Sequence, residues 1–436
     1  MSHRLLSGTA IAALMLGIPP ALGAEPDWSA VPAKTVTLFY PGQSSYDWLR
    51  SPEHRRADKK VIAGDACIGC HEGEEAEMGQ TLVSGEKLEP DPIEGKNGSL
   101  EIEVQAAYDA ENLYLRFQWP TQLDRPGQMH DYLRYNGQAW ESYGGPRSAG
   151  AVRKGEQPAL YEDRLAIMLD DGNVPLFAEQ GCWLTCHTSM RDMPEAPSAD
   201  DVKAHPLLGE ALKQSDVRKY LPESRAGDAM KWDETKSPEE IAELMALGHF
   251  LELMQWRAHR SNPVGMADDG YVLEYRLSDA GKNPFGSNVD RATMTPKFMF
   301  DAAKVGVKSL TVDDLGDFSK PYALIADENA VPYDPNAGWK EGDVLPGQLL
   351  SRSGAEGSAA DNKNVSGSWD AGVWTVTWTR PLNTGRPDDK ALSEGKAYTV
   401  GLAVHDDNVT TRFHFVSFPL TLGIGAEADI AAVRVE

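Results

Sequence analysis

Two regions of the chain alternate apolar and polar residues, and a period of two predicts β-strands. In the first region residues 100–106 alternate, residues 109–112 (Asp-Ala-Glu-Asn) have the composition of a turn, and residues 113–119 alternate again. This arrangement predicts a β-hairpin. A third strand is predicted over residues 164–169, because the polar run Asp-Asp-Gly-Asn follows and ends it.

The last third of the chain returns to the same pattern. Residues 374–378 alternate, residues 398–404 form another alternating run, and residues 413–422 form a third. Each run predicts a strand that is buried on one face. Residues 336–364 are rich in glycine, serine and charge, and this composition predicts a long connecting loop.

The middle of the chain carries the clearest helical signal. Ser237 offers an N-cap, Pro238 takes the first helical position, and Glu240 completes a capping box. Apolar residues then repeat at helical spacing, so one helix is predicted over residues 237–260, before an Asn-Pro pair. Residues 190–232 are polar and are interrupted by proline and glycine, so we expect an irregular insertion with short helices there.

These elements predict a mainly β fold class, with one antiparallel β-sandwich and helices inserted between its strands. A doubly wound fold is not expected, because strands and helices do not alternate regularly. The chain is predicted to divide into three parts: a leader over residues 1–24, an N-terminal segment over residues 25–95, and the sandwich over residues 96–436. The sandwich includes a helical insertion over about residues 180–262.

The first residues have the pattern of a secretory signal peptide. Arg4 is basic, residues 10–18 are apolar, and Ala21, Gly23 and Ala24 are small. The apolar stretch is shorter than the roughly 20 residues that cross a bilayer, so we expect residues 1–24 to be removed and the protein to be exported to the periplasm. A single-pass N-terminal anchor is the alternative, and no later segment predicts a transmembrane helix.

The charge of the chain narrows the classes of partner. Acidic residues number 66 and Lys plus Arg 42, for a formal net charge of −24. An acidic surface repels nucleic acid and anionic membranes, so neither is expected as a partner. The same charge fits two interpretations, which are general solubility and an acidic docking face for a basic redox partner.

The cysteines carry the candidate chemistry. Cys67, Cys70 and His71 form a Cys-x-x-Cys-His motif, which attaches haem through two thiols and binds its iron through the histidine. A thioredoxin-like redox pair would follow a strand in a βαβ unit, whereas the flanks here are charged and rich in glycine. A zinc site would need a fourth ligand, which is missing locally.

Cys182, Cys186 and His187 repeat this constellation with one extra residue between the thiols. Four cysteines in an exported chain would by default predict two disulfides, and a strained local disulfide is the alternative at this position. However, all four cysteines fall into two units that each end in histidine. We therefore predict two covalently attached haem c groups, with His71 and His187 as proximal iron ligands.

Each iron of an electron-transfer haem usually has a second axial ligand. His259 and His405 are the leading candidate distal ligands, followed by His414 and His130, with His54, His205 and His249 behind them. Met129, Met168 and Met190 are the thioether candidates. Any of these side chains could equally be a packing residue.

Several segments together carry a family resemblance: Tyr161-Glu162-Asp163-Arg164 with Met168, Met254-Gln255-Trp256-Arg257-Ala258, Trp374-Thr375-Val376-Thr377-Trp378-Thr379-Arg380-Pro381-Leu382, Gly401-Leu402-Ala403-Val404-His405-Asp406 and Arg412-Phe413-His414. From about residue 99 onward the chain resembles the haem-binding domain related to the γ subunit of ethylbenzene dehydrogenase. The resemblance implies a β-sandwich that holds haem in a periplasmic electron-transfer chain. In that subunit methionine and lysine bind a non-covalent haem b, but Arg257 stands where the lysine is expected here, so we do not carry over that ligation.

The leading hypothesis is a periplasmic dihaem c-type cytochrome that transfers single electrons to or from a partner oxidoreductase, and this favours an electron-transfer protein or subunit over a stand-alone enzyme. Its expected partner is a periplasmic redox protein, such as a molybdoenzyme or another cytochrome. The alternative is a haem enzyme with one open iron position, such as a small reductase or peroxidase. A ligand-binding sandwich with a structural haem is the third hypothesis.

Overall fold

The computed structural model describes residues 25–85 and 88–436. The predicted signal peptide lies outside the described residues. Thirteen strands form the main sheet. They are β1 (Lys34–Phe39), β2 (Ser99–Tyr108), β3 (Asn112–Pro120), β4 (Arg164–Asp170), β5 (Leu251–Arg257), β6 (Gly270–Val272), β7 (Arg276–Ser278), β8 (Asn364–Asp370), β9 (Val373–Pro381), β10 (Lys396–His405), β11 (Phe415–Val416), β12 (Leu420–Ile424) and β13 (Ile430–Arg434).

The sheet folds into a β-sandwich. Strands β8-β9-β3-β2 form one layer, β10-β4-β5-β6-β7 form the other, and β1 with β11 and β12 with β13 join the layers along one side. Most pairs are antiparallel, while β13 runs parallel to both β2 and β12. The core lies between the layers, because Phe117 and Val376 from one layer share a buried cluster with Leu165, Met254 and Leu402 from the other.

Three tryptophans bridge the two layers. Trp119 and Trp374 lie on the first layer and Trp256 on the second, and none of them is exposed. The Trp256 ring meets the Trp374 ring edge-on, with centroids 4.9 Å apart. Gly367 is required beside them, since a Cβ atom there would lie 2.3 Å from the Trp256 ring. Large aromatic side chains therefore fill the space between the layers.

A second group of short strands covers part of the sandwich around its own apolar cluster of Tyr132, Leu133, Phe300 and Val344. These strands are Tyr132–Tyr135, Trp140–Tyr143, Gly281–Lys282, Phe285–Ser287, Val289–Asp290, Thr295–Pro296, Phe298–Phe300, Leu310–Thr311, Leu324–Ile325, Ala330–Pro332, Asp343–Pro346, Gln348–Leu350 and Glu356–Gly357. The last three fall within the predicted loop over residues 336–364, so that prediction was wrong for those positions.

The helices of the described residues are short. The α-helices are Tyr46–Leu49, Asp58–Ala63, Ile68–His71, Glu75–Val83, Gly150–Arg153, Phe177–Gln180, Ala199–Ala204, Pro238–Ala246 and Ala302–Val305, and Pro206–Ala211 is a π-helix. The 3₁₀-helices are Trp28–Ala30, Gly181–Thr185, Pro222–Ser224, Asn262–Val264, Val312–Asp314 and Ser358–Ala360. In the described residues no helix combines the length and the apolar character that crossing a membrane requires.

The predictions of a mainly β sandwich, the 100–119 hairpin, the strand at 164–169 and the strands at 374–378 and 398–404 are confirmed. The run at 413–422 contains two strands, β11 and β12, in place of one. The segment over residues 25–95 contributes β1, which the sequence analysis missed.

The helix predicted over residues 237–260 is wrong beyond its first half. The capping box at Ser237 is present, but the helix ends at Ala246, and Leu251 starts strand β5. Every residue of β5 is buried, so the strand lacks the alternation that marks one-sided burial. His259 therefore follows a strand and does not end a helix.

Candidate functional site

The first cysteine pair lies on a short helix at the edge of the sandwich. Gly64 ends the preceding helix with a φ of 91°, a left-handed conformation that glycine adopts without strain. Ile68–His71 then forms a single turn that carries Cys70 and His71, while the Cys67 amide donates to the Glu179 carbonyl at 3.0 Å. The sequence thus folds the motif into one turn, with its side chains beside a cavity.

This cavity, which we name the Cys67 cavity, has a volume of about 460 Å³ and is lined by Cys67, Cys70, His71 and mostly apolar neighbours. Among the latter are Phe39, Trp48, Leu49, Met78, Trp183 and Phe418. No disulfide joins Cys67 and Cys70. Burial raises the pKa of the Cys67 thiol to about 11, so the thiol stays protonated at neutral pH.

A second histidine faces His71 in the same cavity. The rings of His54 and His71 are nearly parallel at 15°, and their centroids are 6.2 Å apart. His54 Nδ1 contacts the Leu49 carbonyl at 3.1 Å and His71 Nδ1 contacts Glu74 Oε2 at 2.9 Å, which leaves both Nε2 atoms without a hydrogen bond among the described residues. Imidazole nitrogens lie about 2 Å from a bound metal ion, so two rings on opposite sides of one ion have centroids roughly 6 Å apart.

The second cysteine pair lines another cavity. Cys182 lies in the 3₁₀-helix Gly181–Thr185, which Cys186 follows. Both thiols face a cavity of about 490 Å³, the Cys182 cavity, and no disulfide joins them. Strands β4, β5 and β10 form its floor through the side chains that point away from the sandwich core, which are Arg164, Ala166, Met168, Leu253, Gln255, Arg257, Gly401, Ala403 and His405.

Basic side chains dominate the polar lining of the Cys182 cavity. They are Arg164, Arg191, Arg218, Lys219, Arg257, Arg260, Arg276, Arg291 and Arg412, while Asp131 is the acidic residue of the lining. Burial and the nearby Arg257 guanidinium together lower the pKa of Arg276 to about 9, and burial lowers the pKa of Arg164 to about 10. Arg164 Nε is buried without a hydrogen-bond partner. Five of the nine pair with nearby acidic side chains, whereas Arg164, Lys219, Arg276 and Arg291 have no carboxylate partner among the described residues. These four leave the cavity with an excess of positive charge, which favours an anionic ligand.

His405 and His414 both line the Cys182 cavity, with ring centroids 4.8 Å apart. His414 Nδ1 contacts the Thr411 carbonyl, which leaves its Nε2 without a partner in the described chain. His405 Nε2 contacts the same carbonyl at 3.2 Å. Burial lowers the pKa of His414 to about 3 and also lowers the pKa of His405, so both rings are neutral at pH 7, the form that binds metals.

His187 does not line the Cys182 cavity. Its ring stacks on Tyr220 with centroids 3.8 Å apart, Nε2 contacts the Tyr220 carbonyl at 3.2 Å, and Nδ1 lies 3.4 Å from Asp47 Oδ2. Burial lowers the pKa of His187, although the Asp47 carboxylate opposes this shift. The two cysteines of the second motif therefore meet at a cavity, and its histidine packs behind it.

The other candidate ligands divide between the cavity and the surrounding structure. Met168, Met190 and His130 line the Cys182 cavity. His259 lines neither cysteine cavity; its Nδ1 contacts the Gln128 carbonyl at 2.9 Å and its Nε2 is buried without a partner. The sequence analysis ranked His54 low, although its position shortly before the first motif was a usable signal.

Trp183 connects the two cavities. It belongs to the second cysteine motif, lines both the Cys182 and the Cys67 cavities, and is the residue that the two linings share. Its ring stacks on Phe39 at 5.4 Å, and its Nε1 donates to Ser44 Oγ at 3.1 Å. A single aromatic side chain therefore separates the two cavities at this point.

Comparisons with known proteins agree with this architecture. The family model described as ethylbenzene dehydrogenase matches residues 25–417. Cytochrome c-552 of Stutzerimonas stutzeri is 27% identical over 436 residues, which is 100% of each chain. Cytochrome c-551 of Rhodocyclus tenuis is 32% identical over 170 residues, covering 39% of this chain and 58% of that relative.

Glu162 behind the cavity provides a test of these electrostatics. It is fully buried, accepts from the His259 and Arg260 amides at 3.0 and 2.9 Å, and pairs with the Arg260 side chain. Burial alone would raise the pKa of Glu162, but Arg260, His130 and Arg257 lower it below its ordinary value. We expect Glu162→Gln to lower the free energy of unfolding by about 3–5 kcal/mol, because it leaves the buried Arg260 guanidinium without its carboxylate partner.

The matched control is Glu141→Gln, whose carboxylate pairs with Arg134 at the surface and should contribute at most about 1 kcal/mol. Urea unfolding at pH 7 measures both variants. Equal effects of the two substitutions would contradict the proposed charge balance.

Proposed function

This chain belongs to the ethylbenzene dehydrogenase family, and we propose that it is a periplasmic dihaem c-type cytochrome that transfers single electrons to or from a partner oxidoreductase. The observation that carries the proposal is the pair of cysteine-lined cavities with Trp183 as their shared wall. Haem bound at each position would supply a one-electron couple. The protein's own contribution would be to fix the two groups close together and to exclude water from them.

At the Cys67 cavity, Cys67 and Cys70 would form the thioether bonds and His71 would bind the iron. We propose His54 as the second axial ligand, because its ring faces His71 at the separation expected of two imidazoles on one metal ion. The Nδ1 contacts of both rings fix their orientation, as the second hydrogen bond of a ligating histidine does at other metal sites. If both rings held the iron, they would leave no open position for a substrate.

At the Cys182 cavity, Cys182 and Cys186 would attach the second haem, and the basic lining would neutralise its propionate groups. The motif assigns His187 as the proximal ligand, a role that requires its ring to leave Tyr220. His405 and His414 are the histidines placed to bind the other side of the iron. His259 is a weaker candidate, because its ring lies behind the cavity wall.

The partner proposed is a periplasmic redox protein, either a molybdoenzyme or another cytochrome. The family model is named after a dehydrogenase, and both relatives are named cytochromes. The formal charge of −24 suits a basic docking surface on that partner. Export of the chain by residues 1–24 would place both proteins in the same compartment.

The haem count is the direct test of the proposal. We expect the intact mass of protein produced with cytochrome c maturation factors to show two haem additions that survive denaturation. The Cys67→Ser/Cys70→Ser variant should lose one addition, and Cys182→Ser/Cys186→Ser should lose the other, because each pair supplies the thioether bonds of one group. Each double variant serves as the control for the other, because each should keep the haem of the cysteine pair that it leaves intact. A polypeptide that is colourless after acid extraction would contradict the proposal.

The axial role of His54 is tested by spectroscopy. We expect the haem at the Cys67 cavity to be low-spin in the native protein, and His54→Ala to convert it to high-spin iron that binds cyanide readily. The Cys182→Ser/Cys186→Ser background isolates this haem. His205→Ala is the control, because His205 lies outside both cavity linings. An unchanged low-spin spectrum in His54→Ala would rule out this ligand.

A haem enzyme with one open iron position is the second candidate function. Two observations favour it: the cationic Cys182 cavity suits a small oxyanion beside the iron, and His187 packs outside that cavity. Steady-state turnover of nitrite, peroxide or a sulfur oxyanion by the dihaem protein would support this function. If the protein is a pure electron carrier, we expect reversible reduction of both haems and no turnover of any of the three.

A further inference from the structure

Three buried carboxylates meet at the end of the second layer of the sandwich, outside the linings of both cysteine cavities. Asp279 directly follows strand β7, while Asp388 and Asp389 lie in the connection between β9 and β10. They are 5%, 8% and 7% exposed, respectively. One oxygen atom from each of the three side chains lies within 4.8 Å of the other two. Residues from two distant parts of the chain thus converge on one point.

Most oxygens of this triad have no partner in the described structure. Asp388 Oδ2 accepts from the Ala280 amide at 3.0 Å and from Ser358 Oγ at 2.7 Å. Among the described residues, no hydrogen bond of normal geometry reaches Asp388 Oδ1 or either oxygen of Asp279 and Asp389, although the Asp279 and Asp389 carboxyl groups approach each other and the Thr384 side chain approaches Asp389. Five buried carboxylate oxygens are therefore unsatisfied, a condition that native proteins avoid unless a ligand completes the site.

Neighbouring cations do not neutralise the triad. Arg380 makes a bidentate pair with Glu252, with Nη2 at 2.8 and 2.9 Å from its two oxygens. Lys390 Nζ contacts Asp171 at 2.5 Å, and Arg386 Nε contacts Asp361 at 2.8 Å. Each cation is thus already paired with another acid.

The pKa values of the triad reflect the same excess of negative charge. Burial and the repulsion from Asp388 raise the pKa of Asp279 to about 9. Burial and the nearby Glu252 carboxylate raise the pKa of Asp389 to about 6. A cation between the carboxylates would restore their ionised form.

We propose that Asp279, Asp388 and Asp389 bind a calcium ion. The donor set consists of carboxylate oxygens, which hard cations prefer, and it contains no sulfur or nitrogen ligand that would favour zinc or copper. Calcium accepts six to eight oxygens in flexible and bidentate geometries, and five free oxygens in three side chains suit this requirement. Magnesium would demand a stricter octahedron and would keep more of its water.

A second triad of Glu252, Asp269 and Asp389 shares one member with the calcium site. Its other two members are already satisfied, since Glu252 pairs with Arg380, and Asp269 accepts from Asn362 Nδ2 and the Gly270 amide. We therefore place the ion on the Asp279 side of Asp389.

The position of the site suggests what the ion does. It would tie the β9–β10 connection to the end of β7, while Glu252 of β5 lies beside it and the next residue, Leu253, lines the Cys182 cavity. A bound calcium ion would thus stabilise the layer that forms the cavity floor. This role does not depend on the identity of the group in the cavity.

The full-length mature protein, dialysed against a chelator, is the material for the test. We expect 1 mM CaCl₂ to raise its melting temperature by about 5 °C, because the ion binds the folded state alone. Isothermal titration calorimetry should report one equivalent of calcium. Equal concentrations of MgCl₂ should give a much smaller shift in melting temperature.

The test variant is Asp279→Asn/Asp389→Asn, which removes mutual repulsion and is therefore expected to fold without calcium. It should lose both the calcium-induced shift and the bound equivalent. Asp200→Asn, at an exposed acidic residue, should retain both. Absence of a shift in the unmodified protein, an equal effect of magnesium, or an undiminished shift in the double variant would each overturn the proposal.

Discussion

Successive side chains of a β-strand point to opposite faces. Strands β4, β5 and β10 use one face to form the core and the other face to line the Cys182 cavity. Leu165, Met254 and Leu402 fill the sandwich core, while their neighbours in sequence line the Cys182 cavity. A shift of one residue in the pairing of these strands would put arginines into the core and apolar residues into the cavity. The register that builds the core therefore also builds the site.

Charge is distributed unevenly around this layer. The chain as a whole is strongly acidic, yet the cavity floor and rim carry nine basic side chains, and the far end of the layer buries the Asp279 triad. Buried charges of one sign are costly unless a counter-charge reaches them. The four basic side chains of the cavity that lack a carboxylate partner in the described chain and the unpaired oxygens of the Asp279 triad favour ligands of opposite charge, so one ligand could not satisfy both sites.

The sequence predicted most of the sandwich, because β9 and the first half of β2 show the alternation that one-sided burial requires, and because β4, although fully buried, ends at a clear run of turn residues. It did not predict β5, since burial on both faces erases that period and leaves apolar spacings that resemble a helix. The cysteine motifs predicted two haem attachment points, which stay predictions, but the sequence analysis did not predict that His54 faces His71. The short separation of His54 from the motif hinted at this pairing, but the path of the chain between the two residues, which brings the rings together, is not readable from a local pattern.

The extra residue in the second motif acquires a structural meaning from Trp183. In the 3₁₀-helix Gly181–Thr185, Cys182 faces the Cys182 cavity while the next side chain also reaches the Cys67 cavity and packs between Phe39 and Phe418. A motif of ordinary length has two residues between its thiols, whereas this one has three. Trp183 is one of these three residues, so the aromatic wall between the two cavities lies within the motif itself. The three residues between Cys182 and Cys186 therefore include both the unusual spacing of the motif and the side chain that separates the two cavities.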